Sequence, residues 1–165
     1  LFVVGLLAYS LLARGLILQI SLFTVAHTLT LAAASLGWIN LSGSVVEPLI
    51  ALSIVWIGIE NVIRKSGRLA VSRSVIVFTF GLLHGLGFAS VLSDFGLPQN
   101  SFVVSLLSFN VGVEIGQLLI VVPIFFILKA LKLTKTQFRR VFQIPVSLII
   151  SAVGTFWFIE RISLL

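Results

Sequence analysis

The chain has 165 residues, 59% of them apolar and 10% charged, and a mean hydropathy of +1.22. A soluble domain carries about a quarter charged residues, so this is a membrane protein of one-domain length. Its net charge of +6 is therefore no argument for nucleic acid; what matters is where the basic residues sit. With no cysteine and no methionine, the chain lacks the means for a disulfide framework or a thiolate metal site, and a copper(I) pathway is disfavoured.

The apolar runs predict an all-α, polytopic membrane helix bundle in a single domain over 1–165, with segments at about 1–13, 16–36, 45–63, 74–93, 101–131 and 141–160. The first run is too short to span and the chain opens on Leu1. The expectation is a truncated first helix, with Arg14-Gly15 breaking it from the second. Gly37, Trp38, Asn40, Ser42 and Gly43 make the next turn, with Trp38 suited to the membrane interface. Glu47-Pro48 opens the third segment, where proline is tolerated in a first turn. A basic loop from Arg64 to Arg73 follows, and Asp94 to Asn100 is a tight polar turn. The fifth run is long, so either Pro123 kinks it or its end projects into water. A second basic loop holds Lys132, Lys135, Arg139 and Arg140.

Ten of the eleven basic residues fall at alternate turns, and only Arg161 lies on the other side. The positive-inside rule makes those turns cytoplasmic and puts both ends of this chain outside.

Several polar residues sit at membrane depth. His84, within Phe80-Gly-Leu-Leu-His-Gly-Leu-Gly-Phe88, lies about 15 Å from Ser74, near the centre of a ~30 Å hydrocarbon core. His27 has a similar position in the second segment. Gly81 and Gly85 lie within a turn of His84 and let a neighbouring backbone approach. Asn110, Glu114 and Gln117 follow i, i+4, i+7 spacing on one face of the fifth segment, beside a Gly112-x-x-x-Gly116 packing pattern.

His27, His84 and Glu114 come from three segments at similar depth. Two imidazoles and a carboxylate, with Asn110 one turn away, fit a borderline divalent cation such as Ni²⁺, Co²⁺ or Zn²⁺. Glu47 lies near the outer mouth and Glu60, with Asn61, near the inner one; with Gln117 they are candidates for a transport path. The blander alternatives are a carbonyl-bonded histidine, a protonated Glu114, and a solvated helix-end charge at Glu60. Thr24, Thr28 and Thr30 are expected to bond backbone carbonyls.

Four motifs carry a family resemblance. Phe23-Thr-Val-Ala-His-Thr-Leu-Thr-Leu31, Val46-Glu-Pro-Leu-Ile-Ala-Leu-Ser53 with Glu60-Asn61, Phe80 to Ala89, and Phe109-Asn-Val-Gly-Val-Glu-Ile-Gly-Gln117 resemble the HupE/UreJ membrane proteins, as does the closing Trp157-Phe-Ile-Glu-Arg161. The resemblance covers almost the whole chain in order. It implies a bacterial inner-membrane protein associated with hydrogenase and urease maturation, and a nickel or cobalt permease with His27, Glu47, His84, Asn110 and Glu114 as functional residues. Family members carry a Gly-x-Asp-His-type motif just before the segment matching Leu1-Phe2, and this chain starts after it.

Three function classes remain open: a divalent-cation permease, an accessory or assembly protein for metalloenzyme maturation, and an intramembrane metal-dependent hydrolase. No second base and no nucleophile motif supports the last, so the expectation is not an enzyme. The expected partners are the lipid bilayer, a divalent metal ion as cargo and metalloenzyme maturation proteins, without a bound cofactor.

Overall fold

The structure, a computed structural model, describes residues 1–9, 13–63, 71–94 and 102–163. Among them the apolar runs fold as six helices without a strand: α1 (Phe2–Tyr9), α2 (Ala13–Ser35), α3 (Gly43–Ile63), α4 (Val71–Asp94), α5 (Phe102–Ala130) and α6 (Lys135–Ser163). The fold is an all-α membrane bundle. Helices α2, α3, α5 and α6 are long and apolar enough to cross a bilayer, and the 24 residues of α4 rise about 36 Å. Helix α1 has eight residues and rises about 12 Å, less than half a bilayer core.

Several boundaries differ from the sequence reading for local reasons. Arg14 and Gly15 lie inside α2, with Gly15 buried, so they break nothing. Residues 10–12, the body of the first basic loop (64–70) and most of the polar turn (95–101) lie outside the described residues. Helix α2 ends in a Schellman motif: Gly37 has φ +75°, its N–H donates to Ala34 O, and Trp38 N–H donates to Ala33 O. Helix α6 starts at Lys135 rather than near 141, because Thr134 and Gln137 form a capping box. It then passes through one π turn, Arg139–Gln143. Pro123 lies inside a continuous α5, whose 29 residues rise about 43 Å and exceed the hydrocarbon slab.

Two tight helix pairs organise the bundle, and both rest on glycines where backbones meet. On α4, a Cβ at Gly81 would come within 2.7 Å of Phe23 O of α2, and one at Gly85 would collide with His27 O and Thr30 Oγ1. Thr30 Oγ1 donates to Leu82 O at 2.7 Å across the same contact. On α3, a Cβ at Gly58 would come within 2.7 Å of Ser147 O of α6, and Gly154 of α6 sits against Ala51 O.

Helix α1 wedges into the bundle. Its Phe2, Leu6 and Leu7 join Phe23, Ile54, Ile57, Val77, Val121 and Ile150 in the main core. Helix α5 lies outside these pairs. It contributes Leu106, Val121 and Leu128 to buried surfaces, while Gly112 and Gly116 have nothing within 4 Å. The Gly-x-x-x-Gly that packs is the one on α4.

Candidate functional site

The α2–α4 contact fixes both histidines. His27 follows Phe23 by one turn of α2, and His84 lies between Gly81 and Gly85 on α4, so each ring projects from a backbone with no room to shift. His27 is 2% exposed and packs between Phe23 (ring centroids 6.0 Å apart) and Phe88 (5.2 Å). Neither of its ring nitrogens has a hydrogen-bond partner, and neither has Thr24 Oγ1 one turn before it. Burying polar nitrogens without partners is unfavourable.

His84 packs against Phe2 at 4.9 Å and Phe23 at 5.1 Å. Its Nδ1 lies 2.8 Å from Phe80 O. A carbonyl accepts only, so Nδ1 carries the proton and Nε2 keeps a lone pair. Phe23 packs against both imidazoles, nearly parallel to His27 and steeply inclined to His84.

A cavity of about 340 Å³ leads to His84, lined by Glu47, Ile50, Ala51, Ile54, Gly87, Phe88, Trp157 and Arg161 as well. At its rim Arg161 Nε donates to Glu47 Oε2 at 2.9 Å, with both side chains nearly half exposed. Glu47 therefore stands at the mouth, as its place at the start of α3 implies. The walls are mostly apolar, and among the described residues His84 is the one ionisable lining residue beyond the rim.

Asn110 is drawn to the histidine helix: its Oδ1 accepts from Thr28 Oγ1 at 2.9 Å, and its Nδ2 donates to Leu106 O of its own helix. Glu114, one turn on, is exposed. Among the described residues, no three His, Asp, Glu or Cys side chains are close enough together to hold an ion. The structure thus joins His27 with His84, and Asn110 with α2, and leaves Glu114 outside. Gln117 is half-buried with its Oε1 unpartnered.

Glu60 and Asn61 are not the solvated helix end that their position suggests. Arg73, apparently part of a basic loop, lies inside α4 and is fully buried. Its Nη1 donates to Glu60 Oε2 at 2.6 Å, its Nε to Gln19 Oε1 at 2.9 Å and its Nη2 to Asn61 Oδ1 at 3.3 Å, and its Cζ lies 3.8 Å from the centre of the Tyr9 ring. Asn61 Nδ2 in turn donates to Gly5 O, and Gln143 Nε2 to Asn61 O. Five helices meet in this network. Neither Gln19 nor Gln143 stood out in the sequence, though a glutamate and an arginine facing each other across one short loop are a readable signal.

The family model described as HupE / UreJ protein matches residues 1–161. No curated protein and no solved structure matches the chain. A match over nearly the full length, on a helical membrane bundle that holds its two histidines together, identifies this chain as a member of the HupE/UreJ protein family.

Proposed function

We propose that the chain is a permease for a divalent transition-metal cation, nickel or cobalt before zinc, that enters past Glu47 and binds at His27 and His84. The observation that carries this reading is the pair of unpartnered ring nitrogens on fully buried His27, packed on the same phenyl ring as a second imidazole, His84, that lines a cavity. Imidazole nitrogens of this kind suit borderline divalent ions. Asn110 supplies an oxygen that Thr28 already orients. Glu114, one turn from Asn110, completes the set once α5 closes against α2, a movement that the sparse packing of α5 supports. Gln117 extends the same face.

Family membership supports a membrane accessory role connected with nickel or cobalt. The basic ends of α2, α4 and α6 are assigned to the cytoplasm, the Glu47–Arg161 end to the outside, and the membrane to the bacterial inner membrane. Maturation proteins for metalloenzymes are the partners this role implies. Metal content decides the reading: purified protein should hold about one nickel or cobalt ion per chain at saturation, and His84→Ala and His27→Ala should each abolish it. Equal metal content in wild type and both variants would leave an accessory protein whose histidines pack helices.

A further inference from the structure

The face of α3 that lines the cavity does not stop at its floor. Glu47, Ile50, Ala51 and Ile54 line the open space, and Ile57 and Asn61 continue the same stripe at helical spacing. From there the stripe is closed in two layers. Ile57 is fully buried against Gly5 of α1, with Ile150 of α6 in the same cluster. One turn further, the network around Arg73 ties α1, α2, α3, α4 and α6 together.

We propose that the Arg73–Glu60–Asn61 network is the closed gate of the path at its basic end, and that the conformation described here receives cargo from the Glu47–Arg161 end. The proposal rests on the permease reading for what passes; the closure rests on the packing. Two observations support a gate over a staple. First, a guanidinium–carboxylate pair taken out of water is not an efficient stabiliser, since apolar residues of the same volume often do as well or better; its use suits an element that exchanges between discrete partners. Second, spare acceptors stand beside it: Gln143 Oε1 and, one turn on, Ser147 Oγ are buried on α6 without partners. A rearranged set of donors has somewhere to go.

The chain has no cysteine, so single cysteines report access without background. In vesicles of known sidedness, Ile54→Cys should react with a membrane-impermeant thiosulfonate reagent from the Glu47–Arg161 side only. Ile57→Cys should react at no more than about a hundredth of that rate, and only from the basic side. Adding Glu60→Gln should speed the labelling of Ile57→Cys from the basic side by roughly tenfold, as a minor open state rises from about 1% towards about 10% of the population. Where a lone guanidinium prevents folding, Glu60→Gln with Arg73→Gln replaces it. Labelling of Ile57→Cys from the basic side about as fast as Ile54→Cys from the other, in the otherwise unaltered protein, overturns the gate, as does an unchanged rate in a folded gate variant. The readout needs no metal. Absent metal binding with this labelling pattern would refute the permease and keep the closure; bound metal with no change in labelling would do the reverse.

Discussion

Among the described residues the same chemical pair occurs twice, at opposite ends of α3. Arg73 and Glu60 meet at 2.6 Å with side chains 0% and 6% exposed; Arg161 and Glu47 meet at 2.9 Å with side chains 45% and 42% exposed. Distance scarcely distinguishes them, but solvent does. At the rim, water solvates both charges whether or not they touch, so the pair forms and breaks at little cost. In the interior the two charges face each other, and Arg73 also donates to the amides of Gln19 and Asn61, so separation strands an ion in low dielectric. A pair that opens easily and a pair that holds need no different residues, only different burial.

The largest effect should come from breaking the buried pair singly. Glu60→Gln leaves the Arg73 guanidinium without its counter-ion and should cost about 3–5 kcal/mol, read as a large fall in the melting temperature of detergent-solubilised protein. Little change would mean that the network is not a closed unit. A smaller loss is expected when both charges are removed together: Glu60→Leu with Arg73→Met should cost about 1–3 kcal/mol, from the Gln19 and Asn61 amide oxygens left without a donor. A double variant no more stable than Glu60→Gln alone would locate the energy outside the ion pair. The smallest stability effect belongs to the rim. Glu47→Gln should change stability by about 1 kcal/mol or less, and the difference should shrink with added salt. Its consequence should appear in uptake at low metal concentration, with saturated binding nearly intact. Complete loss of bound metal would move Glu47 from the mouth to the site.

The two pairs also separate what was legible in the sequence from what was not. Hydropathy and turn residues locate the membrane segments, and half-span depth puts His27 and His84 at one level. The role of Gly81 and Gly85 follows from spacing, whereas the phenyl ring that both histidines share does not. Glu47, at a helix start, is half-exposed and lines the cavity. Glu60 has the same standing at the other end of α3, yet it is buried. Its partner lies on the next helix, in what composition alone reads as a solvated basic loop, and burial of a charge is a property of the pair rather than of either residue. Gln19 and Gln143 escape notice for the same reason, since each takes its meaning from Arg73 or Asn61. Glu114 is the opposite case: face and depth suit the histidines, yet α5 does not pack closely enough to deliver it. The start of α6 was readable in Thr134-Lys-Thr-Gln137, a capping signature that sits before the apolar run and so escapes a search for hydropathy.

The seating of Gly85 on the backbone of α2 has a further consequence for how this site can change. Its would-be Cβ meets the carbonyl of His27 itself and the hydroxyl of Thr30. The separation of the two imidazoles is therefore set by main chain against main chain, like the jaws of a calliper closed on its stop. Widening the site for a larger ion cannot be done by trimming the histidine neighbours; it requires lifting one helix off the other. A single methyl at position 85 would do this, and Thr30→Gly, by clearing the hydroxyl, would partly restore the fit. On the permease reading, selectivity among ions of similar size would then drift through these two small residues, which lie outside the proposed ligand set.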